Sequence, residues 1–274
     1  MSDQAAPLYQ FVMNARPPHP TDGDRQGLVV VTGSAAGVGT TLIAIHLARA
    51  LAGTGRTVAF VDADPVQPTA TRQFGLAPTG GIGDLFHGWA DVEKVIEPVS
   101  PVISVVPGGP PVADDVFASR AGRSRMIESL LQLGSRFAWT VVDAGASNGM
   151  IVPVIGSLAD ITLLVADDRA GPIDTYAAVK RLAGSPARSH ESRPIMLMVN
   201  RVSAPSDTAT TNQYVANTAR RFLNMRIRPA GYLYENEDPS RVLAKFVQSL
   251  DAARAAAETE KKDLSTQLAA SEDR

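Results

Sequence analysis

Cysteine is absent from the chain. That excludes a disulfide framework, a thiolate zinc site, an iron–sulfur cluster and a cysteine nucleophile. Histidine is nearly as scarce, and His19, His46, His87 and His190 lie too far apart to offer a metal-ligand spacing. Charge of one sign is also lacking: the formal net charge is −2, which leaves no electrostatic footprint for sequence-independent DNA binding, so no direct nucleic-acid contact is expected. The longest apolar stretch, Met150 to Ala159, contains a proline and a glycine and falls far short of the roughly 20 residues of a spanning helix. No basic start is followed by an apolar stretch, so no signal peptide is expected and the cytoplasm is the expected location. Lysine is the last scarcity. Only Lys94, Lys180, Lys245, Lys261 and Lys262 are present among 26 basic residues, a bias that becomes informative in any motif that ought to carry a lysine.

What is there is a chain of 274 residues, 45% hydrophobic, long enough for one large α/β domain or two small ones. Residues 1–27 are rich in Pro, Asp and Gly around a short apolar piece, Leu8 to Met13, and read as an interaction arm and linker. From Leu28 the pattern changes to β-branched runs alternating with helix-length amphipathic stretches. The clearest strands are Leu28–Thr32, Thr57–Asp62, Ile103–Pro107, Thr140–Asp143, Ile161–Ala166 and Ile195–Asn200. Near-continuous apolar runs separated by helices predict an α/β fold with a doubly wound, mostly parallel sheet and helices on both faces, over residues 28–250. Residues 251–274 carry four basic and six acidic side chains and read as a charged helical or disordered tail.

Ligands on such a sheet sit beyond the carboxyl ends of the strands. After the first strand comes Gly33-Ser34-Ala35-Ala36-Gly37-Val38-Gly39-Thr40-Thr41, then the helical run Leu42–Leu51. A glycine-rich turn between strand and helix lets backbone N–H groups converge on an anion. The pattern G-x-x-x-x-G-K-[ST] nevertheless fails twice, at Ser34 and at Thr40. The second strand ends in Asp62-Ala63-Asp64 and the fourth in Asp143-Ala144-Gly145. One such aspartate is as easily a helix cap; in this order, the three signals favour a nucleotide site with a hydrated magnesium ion.

These motifs resemble those of the MinD/ParA family of deviant-Walker P-loop ATPases, over about Leu28 to Leu250. Within it the chain most resembles flagellar-number regulators of the FlhG type, also called FleN or YlxH. The supporting segments are Asp3-Gln4-Ala5-Ala6-Pro7-Leu8, Val106-Pro107-Gly108-Gly109, Val142-Asp143-Ala144-Gly145-Ala146, Val199-Asn200-Arg201-Val202 and Ala219-Arg220-Arg221-Phe222-Leu223-Asn224. The resemblance implies a P-loop NTPase fold and ATP or ADP with Mg as cofactor. Gly37, Val38, Gly39, Thr40 and Thr41 would form the phosphate loop. Thr41, Asp62 and Asp143 would serve the metal, Asp64 would position the attacking water, and Asn200 and Arg201 would contact the nucleotide. Tyr234 stands where relatives often have a proline near the adenine. The opening Asp3, Gln4, Ala5 and Leu8 is similar to the element with which such regulators stimulate the GTPase FlhF. Flagellar switch-complex proteins or a transcriptional activator are the other implied partners.

Both lysines of the family loop are missing: Ala35 stands at the intersubunit signature position and Thr40 at the loop position. Such lysines neutralise the transferring phosphoryl group, and that kind of electrostatic stabilisation carries orders of magnitude in rate. The expectation is weak or altered nucleotide binding, little or no hydrolysis, and a monomer or weak homodimer. Val242, Leu243, Phe246, Val247 and Leu250 line one face of a last helix. Packing on the core is favoured over membrane contact through residues 241–250, which would make the protein peripheral at the cell pole or inner membrane. Two alternatives share the fold: a BcsQ-like cellulose-synthase accessory protein, whose loop also resembles G-V-G-T-T, and an active partition-type ATPase.

Overall fold

A computed structural model describes residues 27–251, apart from 65–66, 78, 110–118, 147–150, 168, 170, 184–193 and 204. Its strands are β1 (Gly27–Gly33), β2 (Val58–Asp62), β3 (Glu97–Pro98), β4 (Ile103–Val106), β5 (Trp139–Asp143), β6 (Ile161–Asp167), β7 (Ile195–Val202) and β8 (Ile227–Tyr234). They form one sheet in the order β3-β4-β2-β5-β1-β6-β7-β8. Every pairing is parallel except that of β3 with β4 at one edge. The helices are α1 (Thr40–Ala52), α2 (Thr69–Gln73), α3 (Ile82–His87), α4 (Val92–Val95), α5 (Arg120–Arg136), α6 (Ile151–Leu158), α7 (Gly171–Ala183) and α8 (Pro205–Leu223). A last helix, α9, covers 239–251.

Alternation along the strands sorts the core into two layers. Val29, Val31, Val58, Phe60, Val141, Leu163 and Val165 face α1 and α9. Val30, Val61, Val142, Leu164 and Leu197 face the other way, against residues of α3, α5, α6 and α7. Both faces being covered explains why the strands read as unbroken apolar runs rather than as an alternating pattern.

All six expected strands are present. Two strands carried no clear signal. β3 has two residues, and β8, with Pro229 and Gly231 inside it, lies at the far edge, where a missing N–H and an absent side chain are tolerated. The stripe on α9 packs inward: Leu243, Phe246, Val247 and Leu250 are buried and Val242 half-buried against the sheet. That face is therefore covered by the domain's own core. No helix among the described residues is long and apolar enough to cross a membrane. The partner residues Asp3, Gln4, Ala5 and Leu8, like the tail beyond 251, lie outside the described residues.

Candidate functional site

The loop after β1 is tied to its neighbours by the backbone. The Gly33 N–H and the Thr32 hydroxyl both donate to the Gly145 carbonyl beyond β5, and the Ser34 N–H donates to the Val165 carbonyl of β6. The loop thus rises between the two strands that flank β1. It turns twice through left-handed backbone, at Gly37 (φ +77°) and Gly39 (φ +95°). At Gly39 glycine is needed twice over, because a Cβ would also run into the Asn200 amide. Gly39 caps α1 without a side-chain cap hydrogen bond, and the first turn holds no acidic residue. A helix start of this kind, entered through left-handed turns, presents backbone N–H groups to an anion.

Thr40, where the loop lysine was expected, is buried, with its hydroxyl packed closely under Gly33. It faces into the loop and brings no charge. Ala35 is half-buried. Thr41 lies near Asp143, and its hydroxyl favours the charged form of that carboxyl.

Asp62 and Asp143 end adjacent strands and face each other in register. Both are fully buried. One Asp62 oxygen, Oδ2, accepts from the Thr71 N–H at 2.8 Å and the Thr71 hydroxyl at 2.6 Å; the same hydroxyl accepts the Gly108 N–H at 2.9 Å. Asp143 Oδ1 accepts the Gly145 N–H at 3.1 Å. The second oxygens, Asp62 Oδ1 and Asp143 Oδ2, are buried without a hydrogen-bond partner among the described residues. Burial dominates their protonation: it pushes the Asp143 carboxyl up to about 7 against the opposing pull of the Thr41 hydroxyl, with the Asp62 charge pushing further the same way. Burial likewise raises Asp62, opposed by its bonds to Thr71. Two buried carboxylates, each with an unsatisfied oxygen, fit a cation between them. Among the described residues no group of three or more His, Asp or Glu could hold a metal alone. The arrangement therefore suits magnesium that keeps waters and shares a ligand's phosphates.

Asp64, the residue assigned to water positioning, accepts the Gln67 N–H at 3.0 Å, and its carboxylate packs against Gly145, where a Cβ would collide with it. Across the loop, the Asn200 amide donates to the Val38 carbonyl at 2.9 Å. Arg201 is no free surface charge: it donates to the Gly37 carbonyl at 2.6 Å and pairs with Asp167. Its backbone is left-handed (φ +53°), a conformation that costs a non-glycine residue about 1 kcal/mol. Tyr234 is exposed and meets Tyr232 edge to face. Sequence reasoning missed Thr71, Asp167 and Arg181, whose guanidinium reaches the Ser34 carbonyl at 3.2 Å. Asp167 had a signal, since it stands just past the apolar run of β6, as Asp62 and Asp143 do on theirs. The other two had none.

Residues 29–247 match the family described as the CobQ/CobB/MinD/ParA nucleotide binding domain. The chain belongs to this family. Among curated relatives, this CobQ/CobB/MinD/ParA domain is 24% identical over 219 residues to the antiactivator FleN of Pseudomonas aeruginosa, covering 80% of this chain and 77% of that one. It is also 24% identical over 226 residues to the flagellum site-determining protein YlxH of Helicobacter pylori, at 80% and 74% coverage. Among solved structures, cobyrinic acid a,c-diamide synthase from Mycobacterium smegmatis, with bound ADP and magnesium, superposes with a TM-score of 0.64 at 15% identity, covering 82% of this chain and 93% of that one. The likeness extends to the fold. The expected doubly wound P-loop architecture is thereby borne out.

Proposed function

We propose that the protein is a FlhG-like regulator of flagellar number or placement whose site binds ATP or ADP with magnesium but hydrolyses little or none. The observation that carries this reading is the contrast within one site. Thr41, Asp62 and Asp143 keep the metal side, with two buried oxygens that lack partners, while Thr40 is buried under Gly33 without charge and Ala35 replaces the signature lysine. Gly37, Val38, Gly39 and the helix start would cradle the phosphates through backbone N–H groups. Thr41 would meet the metal directly, Asp62 and Asp143 through water, and Asn200 and Arg201 would border the nucleotide. Bound magnesium would draw charge off the phosphates, and Asp64 would orient the attacking water if any hydrolysis occurs. Without either lysine, the charge that develops on a transferring phosphoryl group is left uncompensated.

The FleN and YlxH relatives, matched over four fifths of the chain, support the flagellar reading. Asp3, Gln4, Ala5 and Leu8 would engage FlhF, with residues 28–250 acting as the regulated body. The test is GTP hydrolysis by FlhF with the full chain and with a chain lacking residues 1–20. Stimulation by the first and none by the second supports the reading; equal rates with both overturn it.

A further inference from the structure

Three loop carbonyls are held by side chains from outside the loop. Arg181 of α7 takes that of Ser34, Arg201 that of Gly37, and Asn200 that of Val38. In a trans peptide the C=O and the following N–H point in opposite directions. Pulling these carbonyls outward therefore turns the N–H groups of Ala35, Val38 and Gly39 away from Arg181, Arg201 and Asn200. No lysine is present to organise the loop, and Thr40 is tucked beneath Gly33. Arg201 is itself fixed at three points. Asp167, a buried carboxylate, pairs with its guanidinium; the Asn200 side-chain oxygen accepts its N–H at 2.9 Å; and its left-handed backbone aims the side chain back over the loop. Such a conformation persists in a non-glycine residue only where its surroundings over-determine it.

We infer that Arg201, oriented by Asp167, is the positioning residue that keeps this lysine-free loop in its anion-receiving shape. Its charge is matched by Asp167, so it acts through the loop backbone and not as a phosphate ligand. This inference rests on the nucleotide-binding reading above, and its experiment has an arm that needs no nucleotide.

The full-length protein and its variants are titrated with fluorescent mant-ADP in the presence of Mg²⁺, and amide hydrogen exchange of residues 34–41 is followed without nucleotide. Arg201→Met, which keeps the stem and loses the fork, should weaken binding about tenfold or more, as expected for losing charge-assisted hydrogen bonds. It should also speed exchange in the loop. Arg201→Lys can still reach one carbonyl and should recover most of the loss, with Asp167→Asn in between. In a Thr40→Lys background, where a lysine again organises the loop, the effect of Arg201→Met should shrink to about threefold or less. Wild-type binding and exchange in Arg201→Met would overturn the inference. So would an equal loss in both backgrounds accompanied by a lower melting temperature, which marks a merely structural role. If the wild-type protein binds no mant-ADP, the nucleotide-binding reading fails, and the exchange arm still decides whether Arg201 shapes the loop.

Discussion

Asp62 and Asp143 lie opposite each other at the ends of β2 and β5, both buried, each with one carboxylate oxygen that no group among the described residues satisfies. Without a cation, two negative charges side by side out of water are costly, and the Asp143 carboxyl is pushed up to about 7. An acid whose pKa is raised by folding favours the folded state while both states keep the proton, and that contribution fades as pH rises from the unfolded value near 4 through 7. In the metal-free protein, Asp143→Asn should therefore raise stability at pH 8 by about 2 kcal/mol or more and change little at about pH 3, where both states keep the proton. Thermal melts at the two pH values check this; an equal effect at both contradicts it.

The same carboxylates bear on nucleotide binding. With Asp62 and Asp143 ending adjacent strands, Asp64 packed against Gly145 and no lysine in the loop, a bare polyphosphate meets more repulsion than attraction. Binding of ADP should fall about thirtyfold or more when Mg²⁺ is removed with EDTA, equivalent to about 2 kcal/mol. Calorimetric titrations with and without Mg²⁺ measure the ratio, and similar affinities would count against the assignment of Asp62 and Asp143 to the metal.

Thr71 links Asp62 to the Gly108 N–H through one hydroxyl. Thr71→Val preserves the shape but strips a donor from one buried partner and an acceptor from the other. It should cost about 1–3 kcal/mol in denaturant unfolding, and Thr71→Ser should recover most of it. A neutral Thr71→Val would mean that the network contributes nothing to the position of Asp62.

Phe246 is buried on α9 with Leu243, Val247 and Leu250. Phe246→Ala should destabilise the domain by about 3–5 kcal/mol, as expected for a large-to-small change in a packed core. Liposome flotation with anionic lipid should leave the wild-type protein at the bottom of the gradient. Flotation together with a neutral Phe246→Ala would revive the membrane reading of this helix.

The sheet was readable because its strands are buried on both faces. Uniform apolar runs such as Leu28–Thr32 and Ile161–Ala166 need no partner information to be recognised, and the aspartates that end β2, β5 and β6 mark the sheet's carboxyl edge. β8 was not readable, because Pro229 and Gly231 are tolerated only through its edge position, which depends on the strand order. The site divides in the same way. Gly37, Gly39, Thr41, Asp62 and Asp143 follow one another along local motifs. Arg181 and Thr71 act through contacts 147 and 37 residues away in sequence, to Ser34 and Gly108, and local pattern does not encode such contacts. Arg201 was legible as a position and not as a role, since its hold on Gly37 depends on a backbone angle that the sequence does not announce.

On the reading proposed above, this loop retains nucleotide without transferring its phosphate. The most direct measurement is to incubate the protein with MgATP, separate the complex from free nucleotide, and identify by chromatography what remains bound after an hour. The bound nucleotide should still be ATP. Recovery of ADP with release of phosphate at a rate ordinary for the family would contradict the loss of catalysis, and recovery of no nucleotide would contradict the binding site itself.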